Sequence, residues 1–178
     1  LKKTSENSIS ASFLAAKIYR SLSRYDFLQK MANALIRSLI PKQKRIPEGI
    51  IVLNRADVGV SAPLALGLYE KTELALFRQV LRPGMIVVDI GANLGLYTVV
   101  AARRVGTTGR VFSYEPEPLN FALLKKNIGI NHLTNVTAIN AGMADKLGQL
   151  ELYLDDHNRG SHYFAKNNLS QNKLVVET

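Results

Sequence analysis

The run Val87-Val88-Asp89-Ile90-Gly91-Ala92-Asn93-Leu94-Gly95 constrains this chain more than any other stretch. A short apolar strand, Ile86-Val87-Val88, leads into a glycine turn. A helical pattern then opens from Leu96 to Arg104, with Val99, Val100 and Val105 apolar. Such a turn lets a ligand approach the backbone closely, with helix amides pointing at it. The layout then repeats. Gly106-Thr107-Thr108-Gly109 breaks the helix, Arg110 to Tyr114 reads as a strand, Pro118 to Ile130 as a helix, and Val136 to Asn140 as a strand. Strand and helix alternating in this way predict consecutive βαβ units and a parallel sheet, an α/β fold. Ile86-Val87-Val88, apolar on both faces, is expected to be a central strand of it.

The turn points to a nucleotide-like ligand, and its glycine spacing separates the candidates. A dinucleotide fingerprint needs Gly-x-Gly-x-x-Gly, whose amides receive a pyrophosphate. Counted from Gly91, the second glycine is Asn93 and the third is Leu96, so an NAD(P)-dependent oxidoreductase is the weaker reading. Asp89, just before the turn, would repel a pyrophosphate and suits an ammonium group. Glu115, in Tyr114-Glu115-Pro116-Glu117-Pro118, lies 20 residues beyond Gly95. A nucleotide fold places its ribose-binding acid there, where a carboxylate accepts strong charge-assisted bonds from both hydroxyls. Glu117 better fits an exposed acid favoured by the helix dipole.

Residues from about 50 to 165 resemble the FkbM-type methyltransferases, a branch of the class I S-adenosylmethionine-dependent superfamily. The matching words are Gly67-Leu68-Tyr69-Glu70, Pro83-Gly84-Met85, Val88-Asp89-Ile90-Gly91-Ala92-Asn93-Leu94-Gly95-Leu96-Tyr97-Thr98, and Glu115-Pro116. Asn127, Ala141-Gly142-Met143-Ala144-Asp145 and Gly148 match further on. The resemblance implies a Rossmann-like fold, S-adenosyl-L-methionine as cofactor, and methyl transfer to a hydroxyl of a small molecule or glycan. It implies that Asp89, Gly91, Ala92, Asn93 and Gly95 line the methionine and ribose part, and that Glu115 holds the ribose hydroxyls. Pro116 would shape the adenine pocket, with Asn140 and Gly142, in the stretch Asn140 to Met143, at the adenine. Tyr69 and Glu70 would close over the methionine end. One departure stands out: the Asp-x-x-Lys-x-Asp-x-Glu-Gly-type strand of relatives is missing, and with it the second half of the sheet. The strand at 86–88 should therefore have an open edge, an aggregation hazard. Leu1 and the strand-like Leu174-Val175-Val176 before Thr178 suggest a fragment, partial in fold and inactive alone.

Upstream, Leu14, Ile18, Leu22, Tyr25, Leu28, Ala32, Leu35 and Leu39 recur at spacings of three and four, predicting one amphipathic helix over residues 10–40. Pro41 stops it, and Lys42-Gln43-Lys44-Arg45 reads as a basic linker. Residues 1–50 hold a net charge of +7 out of +9 for the whole chain. That excess belongs to the helix, which either packs on protein or makes a peripheral membrane contact on an anionic surface. A binding module for membrane or nucleic acid built on this helix is a competing reading. No aromatic–basic interleaving favours RNA, and no nucleic-acid partner is expected. The division is a basic helical extension over 1–48 and a partial S-adenosylmethionine-binding domain over 49–178.

Within the second part, residues 50–53 read as a strand, 54–66 as a loop carrying Asp57, Gly59 and Pro63, and 68–81 as a helix. Leu150 to Leu154 alternates as a strand, expected in a hairpin. With no cysteine, disulfides and thiolate metal sites are excluded. No secretory signal is visible, so a cytoplasmic protein is expected. No metal site is expected either, since the adjacent Asp155, Asp156 and His157 point in different directions on a strand end. His132 reads as a cap or surface residue, and His157 and His162 as loop residues. No catalytic base is assigned.

Overall fold

The computed structural model describes residues 26–154 and 173–178 of the 178-residue chain. The chain divides into two compact units after Leu39. In the first, helix α1 spans Asp26–Leu39. Leu28, Met31, Leu35 and Leu39 recur along it and are exposed. The rest of the helix expected over 10–40 lies outside the described residues.

The second unit begins at Ile40 with a hairpin, β1 (Gln43–Ile46) and β2 (Gly49–Val52). The two strands pair antiparallel from Gln43↔Val52 to Ile46↔Gly49. This corrects the basic linker expected at 42–45. Lys44 and Arg45 alternate across an outer strand, where charged side chains are tolerated because one side faces water. The other edge of β2 is met by side chains rather than by a strand. Asn131 Oδ1 accepts from Ile50 N at 2.8 Å and its Nδ2 donates to Ile50 O at 2.7 Å. Asn127 Oδ1 accepts from Val52 N at 2.7 Å.

The expected loop over 54–66 is also corrected, since Val58–Leu66 form helix α2. Asp57 caps it, accepting from Gly59 N at 3.1 Å and Val60 N at 3.2 Å. Gly67, at φ 70°, ends it in the left-handed conformation. Pro63 forfeits one internal hydrogen bond, which the two well-made ends offset. Helix α3 (Lys71–Val80) starts later than the expected 68–81, because residues 67–70 form the turn between the two helices.

Then comes the parallel sheet, β3 (Ile86–Ile90), β4 (Arg110–Tyr114) and β5 (Val136–Ile139), in the order β3-β4-β5. Register runs Ile86↔Arg110 to Ile90↔Tyr114, and Val111↔Val136 to Tyr114↔Ile139. Helix α4 (Leu96–Val105) packs on β3 and β4, and α5 (Pro118–Ile130) packs on β5 and β2. The core lies between them, with Val99, Val100, Ala101, Val105, Val111 and Leu124 fully buried. Strands β6 (Gln149–Tyr153) and β7 (Lys173–Glu177) pair antiparallel, as the alternation over 150–154 predicts.

Strand β3 is an edge, as expected from the missing second half of the sheet, and not the central strand its composition suggests. Its open side is unpaired among the described residues. Ile86, Val88 and Ile90 are 72%, 53% and 62% exposed on the face away from α4. An apolar edge strand is a template for intermolecular pairing. The chain is therefore expected to self-associate as concentration rises, and Val88→Lys to suppress this. Light scattering across a dilution series checks it; a monomer at every concentration rules it out.

Candidate functional site

Strand β3 delivers Asp89 and Ile90 to the turn, and α4 carries the chain away from it. Gly91 and Gly95 have φ of 73° and 90°, which glycine alone adopts at little cost. Asn93, at φ 52°, is the polar residue most tolerant of that region. The turn satisfies its own amides. Gly91 N and Ala92 N both donate to Tyr114 O at 2.9 Å, and Gly95 N donates to Ala92 O at 2.8 Å. Leu94 N donates to Asn93 Oδ1 at 2.6 Å, and Asn93 N donates to Glu115 Oε2 at 2.7 Å.

Glu115 is thus held at the turn. It is 4% exposed, and its Oε1 accepts from Glu117 N at 2.9 Å. Burial pushes its carboxyl above the usual range, against the downward pull of the two backbone bonds. Asn140 sits behind it, with Nδ2 donating to Glu115 O at 2.7 Å and Pro116 O at 3.1 Å. Glu117 caps α5 by accepting from Asn120 N at 2.6 Å, and it is buried rather than exposed.

A cavity of about 260 Å³ opens beside the turn, lined by Asp89, Gly91, Ala92 and Asn93. Tyr69, Glu70 and Tyr97 line it too, and its lining holds two carboxylates and no Lys or Arg. Asp89 Oδ2 accepts from Thr98 Oγ1 at 2.6 Å, and Thr98 Oγ1 lies 2.8 Å from Ser113 Oγ. Burial raises the Asp89 carboxyl, and the Thr98 bonds oppose the rise. Tyr97 OH donates to Glu70 Oε2 at 2.6 Å. Among the described residues no group of His, Asp or Glu is placed to hold a metal, and no helix is long and apolar enough to cross a membrane.

Residues 89–176, from the acid that opens the turn into β7, match the model of the methyltransferase FkbM domain. This stretch is a methyltransferase FkbM domain. Protein-L-isoaspartate O-methyltransferase 1 of Arabidopsis thaliana is 29% identical over 129 residues, covering 67% of this chain and 52% of that protein. The ribosomal RNA large subunit methyltransferase E of Cellvibrio japonicus is 42% identical over 52 residues, 29% of this chain and 25% of that protein. A solved protein-L-isoaspartate O-methyltransferase is 29% identical, with 42% of this chain and 24% of that chain covered and a TM-score of 0.39. The chain spans about half the length of the isoaspartate relative, 52%.

Within the FkbM domain the expected residues fall into three groups. Asp89, Gly91, Ala92 and Asn93 line the cavity, and Glu115 is tied to it through Asn93. Gly95 does not line it. A Cβ there would lie 2.6 Å from Leu124 Cδ1, so this glycine lets α5 pack against the turn. Pro116, Asn140 and Gly142 lie off the cavity, on the Glu115 side. Gly142 is buried, and its N–H donates to Glu177 O at 2.8 Å, which joins this segment to β7.

Two contributors had no role assigned from sequence. Asn127 is fully buried and donates to Leu94 O at 2.7 Å while holding β2, so it pins the turn. Its signal is a polar residue on the apolar side of a helix. Tyr97, seen only as part of the glycine run, reaches across to Glu70. His132 is exposed just after α5, and His157 and His162 lie outside the described residues.

Proposed function

We propose that this chain supplies the cofactor-binding part of an S-adenosylmethionine-dependent methyltransferase acting on a hydroxyl of a small molecule or glycan. The observation that carries this reading is the amide account of the turn. All five N–H groups from Gly91 to Gly95 are engaged within the protein, and the cavity beside them is acidic. A pyrophosphate seated on this bend needs its amides free or cations beside it, and the five bend amides are taken while the cavity lining holds no Lys or Arg. A ligand with an ammonium group and a ribose diol suits Asp89 and Glu70 on one side and Glu115 on the other.

Bound S-adenosylmethionine would supply an electrophilic methyl carbon on a sulfonium. Asp89, Glu70 and Glu115 would hold it, and its methyl would go to an acceptor hydroxyl, with the carbon–sulfur electron pair left on sulfur and the hydroxyl proton given to a base. The described residues bind and orient, which is where well-placed reactants gain about 7–11 kcal/mol.

Thermal unfolding with S-adenosylhomocysteine, and separately with NAD, tests the reading. A true ligand at a hundredfold its Kd adds about 2.7 kcal/mol. For a chain of this size that raises Tm by roughly 5–10 °C. Protection by NAD and not by S-adenosylhomocysteine would overturn the proposal.

A further inference from the structure

Among the described residues, Glu70 spends its side chain on neither its helix nor an ion pair. It stands at the amino-terminal cap of α3, yet its side chain makes no capping hydrogen bond. Its backbone is left-handed, at φ 41° and ψ 44°, a region a glutamate enters only when its surroundings impose it. Its carboxylate meets a phenol instead. Tyr97 OH donates to Oε2 at 2.6 Å. Burial first, and then the Glu70 charge, pushes the Tyr69 phenol up to about 12. Burial and the Glu70 bond raise the Tyr97 phenol as well. Both phenols stay protonated at neutral pH, so the Tyr97 hydroxyl remains a donor to Glu70.

The Tyr97 ring is fixed independently of its hydroxyl. It packs edge-on to Phe77, with centroids 5.1 Å apart and planes at 64°. Phenylalanine would pack there equally well, so the hydroxyl is the part that packing does not explain. Glu70, Tyr97 and Tyr69 line the same cavity as Asp89. A carboxylate has about four acceptor sites, so the Tyr97 bond orients it and leaves capacity for an ammonium.

We infer that Tyr97 is a positioning residue: its hydroxyl holds Glu70 over the cavity as a second anion for the amino group of the ligand, which makes the site selective for adenosines bearing an amino-acid end. This rests on the cofactor reading above and extends it to the basis of discrimination. Asp89 alone would be a poor discriminator, since one of its oxygens is already taken by Thr98. A held Glu70 adds a charge-assisted bond that only an amino-acid-bearing ligand uses.

Calorimetric titration with S-adenosylhomocysteine and with 5′-methylthioadenosine, which lacks the amino-acid end, tests the inference on the whole chain. Tyr97→Phe is expected to weaken S-adenosylhomocysteine roughly ten-fold, the scale of one hydrogen bond to a charged group, and to leave methylthioadenosine within about two-fold. Glu70→Gln, at an exposed position, should do the same and serves if the first variant folds poorly. Equal weakening of both ligands would mean a purely structural role and would overturn the inference, as would unchanged affinity for S-adenosylhomocysteine. A wild-type chain that binds both ligands equally sinks this inference alone. One that binds neither sinks the cofactor reading as well.

Discussion

Glu115→Gln is expected to lower the affinity for S-adenosylhomocysteine by about a hundredfold or more. Two hydroxyl bonds to a carboxylate are each worth roughly 1.5–3 kcal/mol, and an amide offers one oxygen in place of two. The fold suffers too. The carboxylate now accepts from Asn93 N and Glu117 N, and the amide NH₂ of glutamine would face one of those N–H groups. The unsatisfied pair costs about 1–3 kcal/mol. The pH dependence separates the charge from the shape. Burial holds the Glu115 carboxyl above the ordinary range in the free protein. Ribose hydroxyls donate to the ionised form and so draw its pKa down in the complex. Binding therefore releases a proton, and affinity should rise as pH climbs from the ordinary carboxylate range through the raised value. Titrating 5′-methylthioadenosine keeps the ammonium out of the comparison. A wild-type profile no steeper than that of Glu115→Gln would count against the assignment.

Asn127 gives the second large effect. It is fully buried, and its amide holds Val52 N at 2.7 Å, Val52 O at 3.3 Å and Leu94 O at 2.7 Å. Asn127→Leu keeps the volume and removes all three contacts, leaving a buried N–H and carbonyls without partners. The expected loss is roughly 3 kcal/mol or more. That corresponds to a Tm about 6–12 °C lower in a chain of this size. Ligand affinity should fall with it, because the Leu94 carbonyl belongs to the turn. Chemical denaturation measures the loss, and a change under about 1 kcal/mol would show that the strand and turn hold without the asparagine.

What sequence reasoning reached here depends on whether the signal was local. The span Pro118 to Ile130 was legible because Glu117 and proline mark its start and glycine and asparagine its end. The spacing from the glycine turn to Glu115 was legible because one βα unit has a nearly fixed length. Helix α2 is hidden because Asp57, Gly59 and Pro63 together read as a loop, whereas Asp57 and Gly67, ten residues apart, cap the two ends of a helix. Strand β1 was lost because Lys44 and Arg45 read as a linker when only an outer position was needed. The exposure of β3 ran against its composition: an apolar strand is written for burial that the described residues do not provide. Asn127 and the Glu70–Tyr97 pair lay beyond reach for a different reason. Their partners are 75 and 27 residues distant, and only the folded sheet brings them together.

The self-sufficiency of the glycine turn has a thermodynamic corollary. A loop whose amides wait for a phosphate must be ordered by its ligand, and the ordering entropy is subtracted from the affinity. Here the bend from Gly91 to Gly95 is already closed by Tyr114, Asn93, Ala92 and Glu115, so a ligand meets a rigid rim and spends little on freezing it. Association at this crevice should accordingly be quick and its entropy dominated by released water, with the backbone contributing almost nothing.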